Sequence, residues 1–311
     1  MHTDAAPIAA IDIGGTKIAA ALVSSGGRLL TRTQRPTPAA SDGETVLGAV
    51  LDALDELATA PGWSEVRALG VGSAGPVDIS RGTVSPVNIP GWRGFPITER
   101  LSAHPAAKGL PVVLAGDGIA IAAAEHRFGA AQPYDNALCM VVSTGVGGGL
   151  ILNGELHTGP TGNAGHIGHI TVDLNGEPCP CGSRGCVEQL ASGTAIARYA
   201  LRSGWRPAAQ DASAVAVAAS ARAGDPIALA AYERAGQALA AAIAATATLV
   251  ELDAVVIGGG VAQVGDLLLD PLRAHLRTYA ALPFAAGITV HRALLGTDAG
   301  LVGAAAVAMG A

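Results

Sequence analysis

The stretch IAAIDIGGTKIAAALVSSGG, residues 8–27, carries most of the information about how this chain folds. Ile8–Ile13 is a short apolar run of strand character with Asp12 near its end. Gly14-Gly15-Thr16 turns it, and Lys17–Val23 continues as a second strand before Ser25-Gly26-Gly27. The pattern occurs again. Leu138–Val142 runs into Ser143-Thr144-Gly145-Val146-Gly147-Gly148-Gly149, then Leu150–Leu152 and the hairpin-type turn Asn153-Gly154. In both copies glycines join strand to strand, whereas the P-loop and the dinucleotide fingerprint lead from a strand into a helix.

Outward from these two units the chain alternates. Gly43–Ala60 has helical spacing, with Val46, Leu47, Val50, Leu51, Leu54 and Leu57 on one face. Val66–Ser73 is a strand entering Ser73-Ala74-Gly75-Pro76. Val112–Leu114 is another, ending at Ala115-Gly116-Asp117, and Ile119–Phe128 reads as an Ala-rich helix. Helices are expected over Gly193–Ser203, Ser213–Ala223, Pro226–Leu249 and Asp298–Met309, with strands at Ala254–Ile257 and Ile288–Arg292. This alternation makes an α/β protein. The duplicated hairpin implies two similar lobes facing one nucleotide.

The 311 residues leave room for two cores. Half of them are hydrophobic and 14% are charged, a composition of a compact globule rather than a disordered chain. A net charge of −6 with no basic cluster gives nucleic acid or anionic membranes nothing to hold. Leu239–Val250 is the most membrane-like stretch, but it is too short for a bilayer of roughly 30 Å and reads as a buried helix. The N-terminus carries Asp4 and no basic region leading into an apolar one. It is therefore not a secretory signal, and a cytoplasmic location is expected.

Three constellations carry chemistry. Around Gly14 and Gly15, backbone N–H groups can approach a phosphate closely. Thr16 and Lys17 add a hydroxyl and a charge, and Asp12 at the strand end suits Mg²⁺. With Thr144, Gly145 and Gly147 in the second hairpin, and Gly258-Gly259-Gly260 after a late strand, the chain has three glycine turns of this kind. The third constellation is His169 with Cys179, Cys181 and Cys186: one nitrogen and three sulfurs, the donor set of a closed, structural zinc site. Cys139 lies alone in an apolar run and reads as core. By residue type alone, Asp117 is equally a helix N-cap, Glu188 a surface charge and Asn88 a turn residue. His166 shares a short loop with a metal ligand and would be held rigidly, which suits contact with a substrate.

Together these residues resemble the ROK family of repressors, open reading frames and sugar kinases. Its motifs stand here as Asp12-x-Gly-Gly-Thr, Ser143-Thr144-Gly145-x-Gly147-Gly148-Gly149, Gly168-His169 and the Cys-x-Cys-Gly-x-x-Gly-Cys-x-Glu run ending at Glu188. The resemblance implies an actin/hexokinase-like (ribonuclease H-like) ATPase fold of two lobes around a cleft for ATP and sugar, and a homodimer. The expected division is residues 1–116 with 298–311 as a small lobe. Residues 117–297 would form a large lobe with the zinc loop and the dimer interface. The resemblance further implies that Asp117 is the catalytic base. Gly75, Asn88, Asp117, Gly145, His166, His169 and Glu188 are then the sugar-binding positions. Asp12, Gly14, Gly15, Thr16, Lys17, Thr144, Gly145, Gly147 and Gly258–Gly260 hold ATP and Mg²⁺.

Two positions depart from the family. His166 stands where ROK glucokinases usually carry glutamate, and Gly-His-Ile-Gly-His is similar to the form in bacterial N-acetylmannosamine kinases. A carboxylate accepts from two hydroxyls, whereas a neutral imidazole offers one donor and one acceptor. Gly116 stands where the family usually has asparagine. The expected reaction is transfer of the ATP γ-phosphate to a hexose 6-hydroxyl, with N-acetylmannosamine first and glucose second, the latter kept by Asn88-Ile-Pro-Gly-Trp92. A sugar-sensing regulator is the alternative of another class. The first motif begins at Asp12, which leaves no room ahead of it for a DNA-binding domain.

Overall fold

The computed structural model describes residues 6–207 and 211–310. The chain forms two compact units. One runs to Gln132 and takes in Leu156–Ala164 and the segment from Thr297; the other is Pro133–Glu155 with Gly165–Gly296.

In the first unit β1 (Ile8–Ile13), β2 (Lys17–Val23) and β3 (Leu29–Pro36) form an antiparallel meander. Next come α1 (Gly43–Ala58), β4 (Leu69–Ser73) and a ribbon of β5 (Val77–Asp78) and β6 (Thr83–Val84). They are followed by α2 (Ile97–Ser102), β7 (Val112–Gly116) and α3 (Asp117–Phe128). The sheet order is β3-β2-β1-β4-β7, with β1, β4 and β7 parallel.

The second unit repeats the plan with β8 (Ala137–Val142) and β9 (Val146–Leu152), and β10 (Glu155–His157), of which Glu155 belongs to this unit, edges the sheet. Helices α4 (Val187–Ala191), α5 (Gly193–Arg202), α6 (Ala214–Arg222) and α7 (Pro226–Val250) follow. β11 (Ala254–Gly258), α8 (Asp266–Tyr279) and β12 (Thr289–Arg292) complete it. Its sheet order is β10-β9-β8-β11-β12, again an antiparallel hairpin flanked by two parallel strands. The duplication read from the two glycine hairpins is thus a duplication of sheet topology. Helix α9 (Ala299–Ala308) returns to the first unit.

Side chains just ahead of the helices start them. The Asp42 carboxylate accepts from the Thr45 N–H at 2.9 Å and caps α1. Asp225 accepts from Ile227 and Ala228, with Pro226 at the first helical position of α7. The Leu239–Val250 stretch forms the second half of α7, where Leu239, Ile243 and Ala247 are fully buried. Among the described residues no single helix is long and apolar enough to cross a membrane.

The first sheet is packed on both faces. Val46, Val50 and Leu54 of α1 cover one side. On the other, α9 lies against Ala10, Ala19 and Ala21. The small residues of α9 have a geometric cause. A Cβ on Gly70 of β4 would run into the Ala304 carbonyl, and one on Gly303 into the Ala120 carbonyl, so backbones meet directly there. Helix α3 packs along α9 and belongs to the first unit, whereas the sequence drew a lobe boundary ahead of residue 117.

β3, α2, α4 and α8, with the short strands β5, β6 and β10, have no counterpart in the sequence reading. β3 is a polar edge strand, TRTQR after Leu29-Leu30, and so lacks a full apolar stripe. α8 carries Pro271 and four charged residues, which mask the stripe Leu268, Leu269, Leu272 and Leu276.

Candidate active site and metal centre

The first unit gathers Asp12, the Gly14–Lys17 turn, Gly75, Asn88 and Asp117. The Gly14 N–H donates to Lys17 O at 2.9 Å, and Thr37 braces the turn by donating from its hydroxyl to Gly14 O at 2.7 Å. Thr16 is exposed at its tip. Neither Gly14 nor Gly15 has a positive φ. Gly15 is needed for another reason: a Cβ there would overlap the Asn88 carboxamide, which lies directly on the turn. Asn88 is thus more than a turn residue. Gly75 follows β4, where Ala74 donates to Ile13 O at 3.1 Å and so lies beside the end of β1.

Asp117 is exposed and is the first residue of α3; the N-cap itself is Gly116. The Asp117 carboxylate accepts from the Gly118 N–H at 2.7 Å, which holds it at the helix start with its head toward solvent. Gly116 has φ −67°, open to any residue, and a Cβ there would make ordinary contacts with Gly162 O and Val77. Trp92 of the Asn88–Trp92 stretch is fully buried, donates from Nε1 to Gly43 O at 3.0 Å and stacks on Phe95 at 4.7 Å. Its role is to anchor α1.

Asp12 ends up under α9, so close that a Cβ on Gly300 would meet its carboxylate at 2.5 Å. Burial, and then the charge of Asp117, push the Asp12 carboxyl from 3.8 up to about 6, against the opposing pull of Lys17 and Arg32. The folded value exceeds the unfolded one. The stability this group confers is therefore fully present below about 3.8 and is lost as pH rises through about 6. Asp12→Asn is expected to stabilise the nucleotide-free protein at pH 8 by on the order of 2 kcal/mol, read as a higher melting temperature, with the gain shrinking toward pH 4. A lower melting temperature at pH 8 would show that ionised Asp12 favours the fold.

The second unit gathers the remaining residues. Val146 donates its N–H to Glu188 Oε2 at 2.9 Å, and a Cβ on Gly145 would meet the same oxygen at 2.5 Å. Glu188 is therefore no surface charge; it sits on the second glycine turn. Thr194 donates to Thr144 O at 2.7 Å and Gly193 to Ser143 O at 2.7 Å, which fixes that turn to the start of α5. Gly258–Gly260 meets the same hairpin, with Val261 donating to Val142 O at 3.0 Å. Gly259, at φ +92°, lies where a Cβ would strike the Val142 backbone. Gly147 has open space where a side chain would be.

His169 closes a short turn of 3-10 helix, Ile167–His169. Its Nδ1 lies 3.9 Å from Cys179 Sγ, and Cys181 Sγ lies 3.7 Å from Cys186 Sγ. All four donor atoms fall within 4.8 Å of one another. A tetrahedron with metal–sulfur bonds of about 2.3 Å has sulfur–sulfur edges of about 3.8 Å, so the donors stand at the spacing of a four-coordinate centre. Burial, then the neighbouring sulfurs, push the Cys186 thiol up to about 12, a cost that a cation among the sulfurs would reverse. Cys181 is drawn down, chiefly by the Ser183 N–H. Gly185, at φ +62°, packs where a Cβ would strike the Asp173 carbonyl, and this tight turn lets three sulfurs converge. His166 is exposed, with its ring 6.1 Å from that of His169.

The sequence model of the ROK family matches residues 8–311. The chain belongs to the ROK family. It is 36% identical over 312 residues to the glucokinase of Streptomyces coelicolor, covering 96% of each chain. Over 297 residues it is 39% identical to the N-acetylmannosamine kinase of Yersinia pestis, with 95% of this chain and 96% of the relative covered. Among solved structures it is similar to a ROK family glucokinase from Streptomyces griseus, determined in complex with glucose and AMPPNP. The identity is 35%, the TM-score 0.82, and the coverage 98% of this chain and 100% of the other. This ROK chain is a kinase with the actin/hexokinase-type ATPase fold that its resemblance to the family implied.

Proposed function

We propose that this ROK kinase phosphorylates N-acetylmannosamine at its 6-hydroxyl. The chain is an ATP-dependent sugar kinase acting on a hexose; the choice of sugar and the roles of residues are our reading. Asp117 accepts the proton of the 6-hydroxyl as that oxygen bonds to the γ-phosphorus. The bond from phosphorus to the bridging oxygen breaks, and ADP leaves with the electron pair. Gly14–Lys17, Thr144, Gly145, Gly147 and Gly258–Gly260 present N–H groups, a hydroxyl and a cation to the phosphates. Asp12 suits Mg²⁺, which when bound offsets phosphate charge. Gly75, Asn88, Gly145, His166, His169 and Glu188 orient the sugar hydroxyls. His169, Cys179, Cys181 and Cys186 fit a structural zinc ion, which when bound braces the loop holding His166 and Glu188. The homodimer implied by the resemblance is taken as the working assembly.

The observation that carries the choice of sugar is the pair of imidazoles, His166 beside His169, ring centroids 6.1 Å apart. A carboxylate only accepts, whereas a neutral imidazole offers one donor and one acceptor, and that exchange fits a different group or configuration near C2. Glucose is the second reading, supported by the glucokinase relatives. The Asn88–Trp92 stretch adds little to it, because Trp92 is accounted for by packing. In a coupled ADP-release assay with Mg-ATP, kcat/KM for N-acetylmannosamine is expected to exceed that for glucose by about tenfold or more, the scale of one polar contact. His166→Glu should move the ratio toward glucose. Preference for glucose in the wild-type enzyme would defeat the reading.

A further inference from the structure

Behind the sulfurs of the metal centre lies a polar layer supplied by α4 and α5. Gln189 of α4 places its side-chain Nε2 3.8 Å from Cys179 Sγ. An amide has a donating and an accepting end, so its orientation needs an independent reason. Arg198 of α5 supplies it. The Arg198 guanidinium donates to Gln189 Oε1 at 3.0 Å and to the Gln189 backbone carbonyl at 3.1 Å. A guanidinium has no acceptor, so the oxygen end of the amide must face Arg198 and the NH₂ end must face Cys179. The same guanidinium lies 3.7 Å from Glu177, two residues ahead of Cys179, and Arg202 pairs with the other oxygen of Glu177. One helix thus grips both the cysteine loop and the amide that touches it.

The electrostatics point the same way. Three thiolates, a neutral imidazole and a divalent cation sum to a net charge of −1, which a cation one amide away offsets. An N–H directed at a thiolate also withdraws charge from it and fixes the orientation of the ligand.

We infer that Gln189 and Arg198 are positioning residues of the metal centre, Gln189 donating an N–H to the Cys179 sulfur and Arg198 holding the amide in that orientation. The inference rests on the zinc reading above. Gln189→Glu is close to isosteric and replaces the donor with an acceptor. In the zinc-loaded full chain it is expected to speed zinc release to a chromophoric chelator by on the order of tenfold. It should also shift the sulfur-to-cobalt charge-transfer band of the Co²⁺-substituted protein, which a merely structural role would not do. Arg198→Lys keeps the charge but replaces the rigid planar guanidinium with a compact, freely rotating ammonium that fixes the amide less firmly, and should move both readouts in the same direction by less. If Gln189→Glu does not fold, Arg198→Lys is read by the same criteria. Unchanged release and an unchanged band, with a normal band in the wild type, would overturn this inference alone. No charge-transfer band in the wild type would overturn the zinc reading and this inference with it.

Discussion

Asp117→Asn is expected to lower kcat by about 10³-fold while leaving the fold and sugar affinity close to those of the wild type. The amide matches the carboxylate in size, and its oxygen can still accept from the Gly118 N–H that holds Asp117 at the start of α3. What it cannot do is take up the hydroxyl proton as the bond to phosphorus forms. The loss therefore falls on kcat, because the missing interaction belongs to the transition state. Asp117 is exposed, so the exchange leaves no cavity and no stranded buried group. Single-turnover phosphoryl transfer, sugar binding by calorimetry and thermal melting separate these terms. Turnover within tenfold of the wild type would remove Asp117 as the base.

The second large effect is on stability. Cys181→Ser removes one donor of the four-membered centre, and Cys181 is its exposed member, so little packing is lost with the sulfur. The variant is expected to bind less than stoichiometric zinc and to lose more than about 3 kcal/mol, a melting shift of roughly 6–12 °C for a unit of this size. KM for the sugar should rise as well, because the same loop carries His166 and His169 and leads directly into Glu188. Metal analysis and melting before and after zinc addition test this. A variant free of metal with an unchanged melting temperature would defeat the structural role.

Much of this was legible in the chain because the relevant signals are local. A glycine turn between two apolar strands, a cysteine run with glycines at its turns, and Asp or Ser ahead of a helix each act within a few residues. That is why the two hairpins, the clustered Cys and His donors and the helices α1 and α7 stand close to where the sequence puts them. Elements without a clean apolar period were not legible: β3 on a polar edge, α8 with its proline and charges.

Several residue roles were also out of reach. Gly15 looks like a phosphate-turn glycine, yet its missing side chain makes room for Asn88, some seventy positions away. Glu188 follows the last cysteine closely, but its partner is the Val146 N–H. Gln189 and Arg198 have no motif at all, and only the approach of α5 to α4 sets an amide against a sulfur.

By itself the sequence determined the duplicated α/β plan, the glycine turns and the Cys₃His donor set, because periodicity, turn chemistry and ligand type are properties of short segments. Tertiary structure alone decided that Asp12 would be desolvated under α9 and its carboxyl pushed up, that Trp92 would serve packing, and that Gln189 would stand behind Cys179. Those are matters of burial and of contact between distant segments, and both arise only when helices close over sheets.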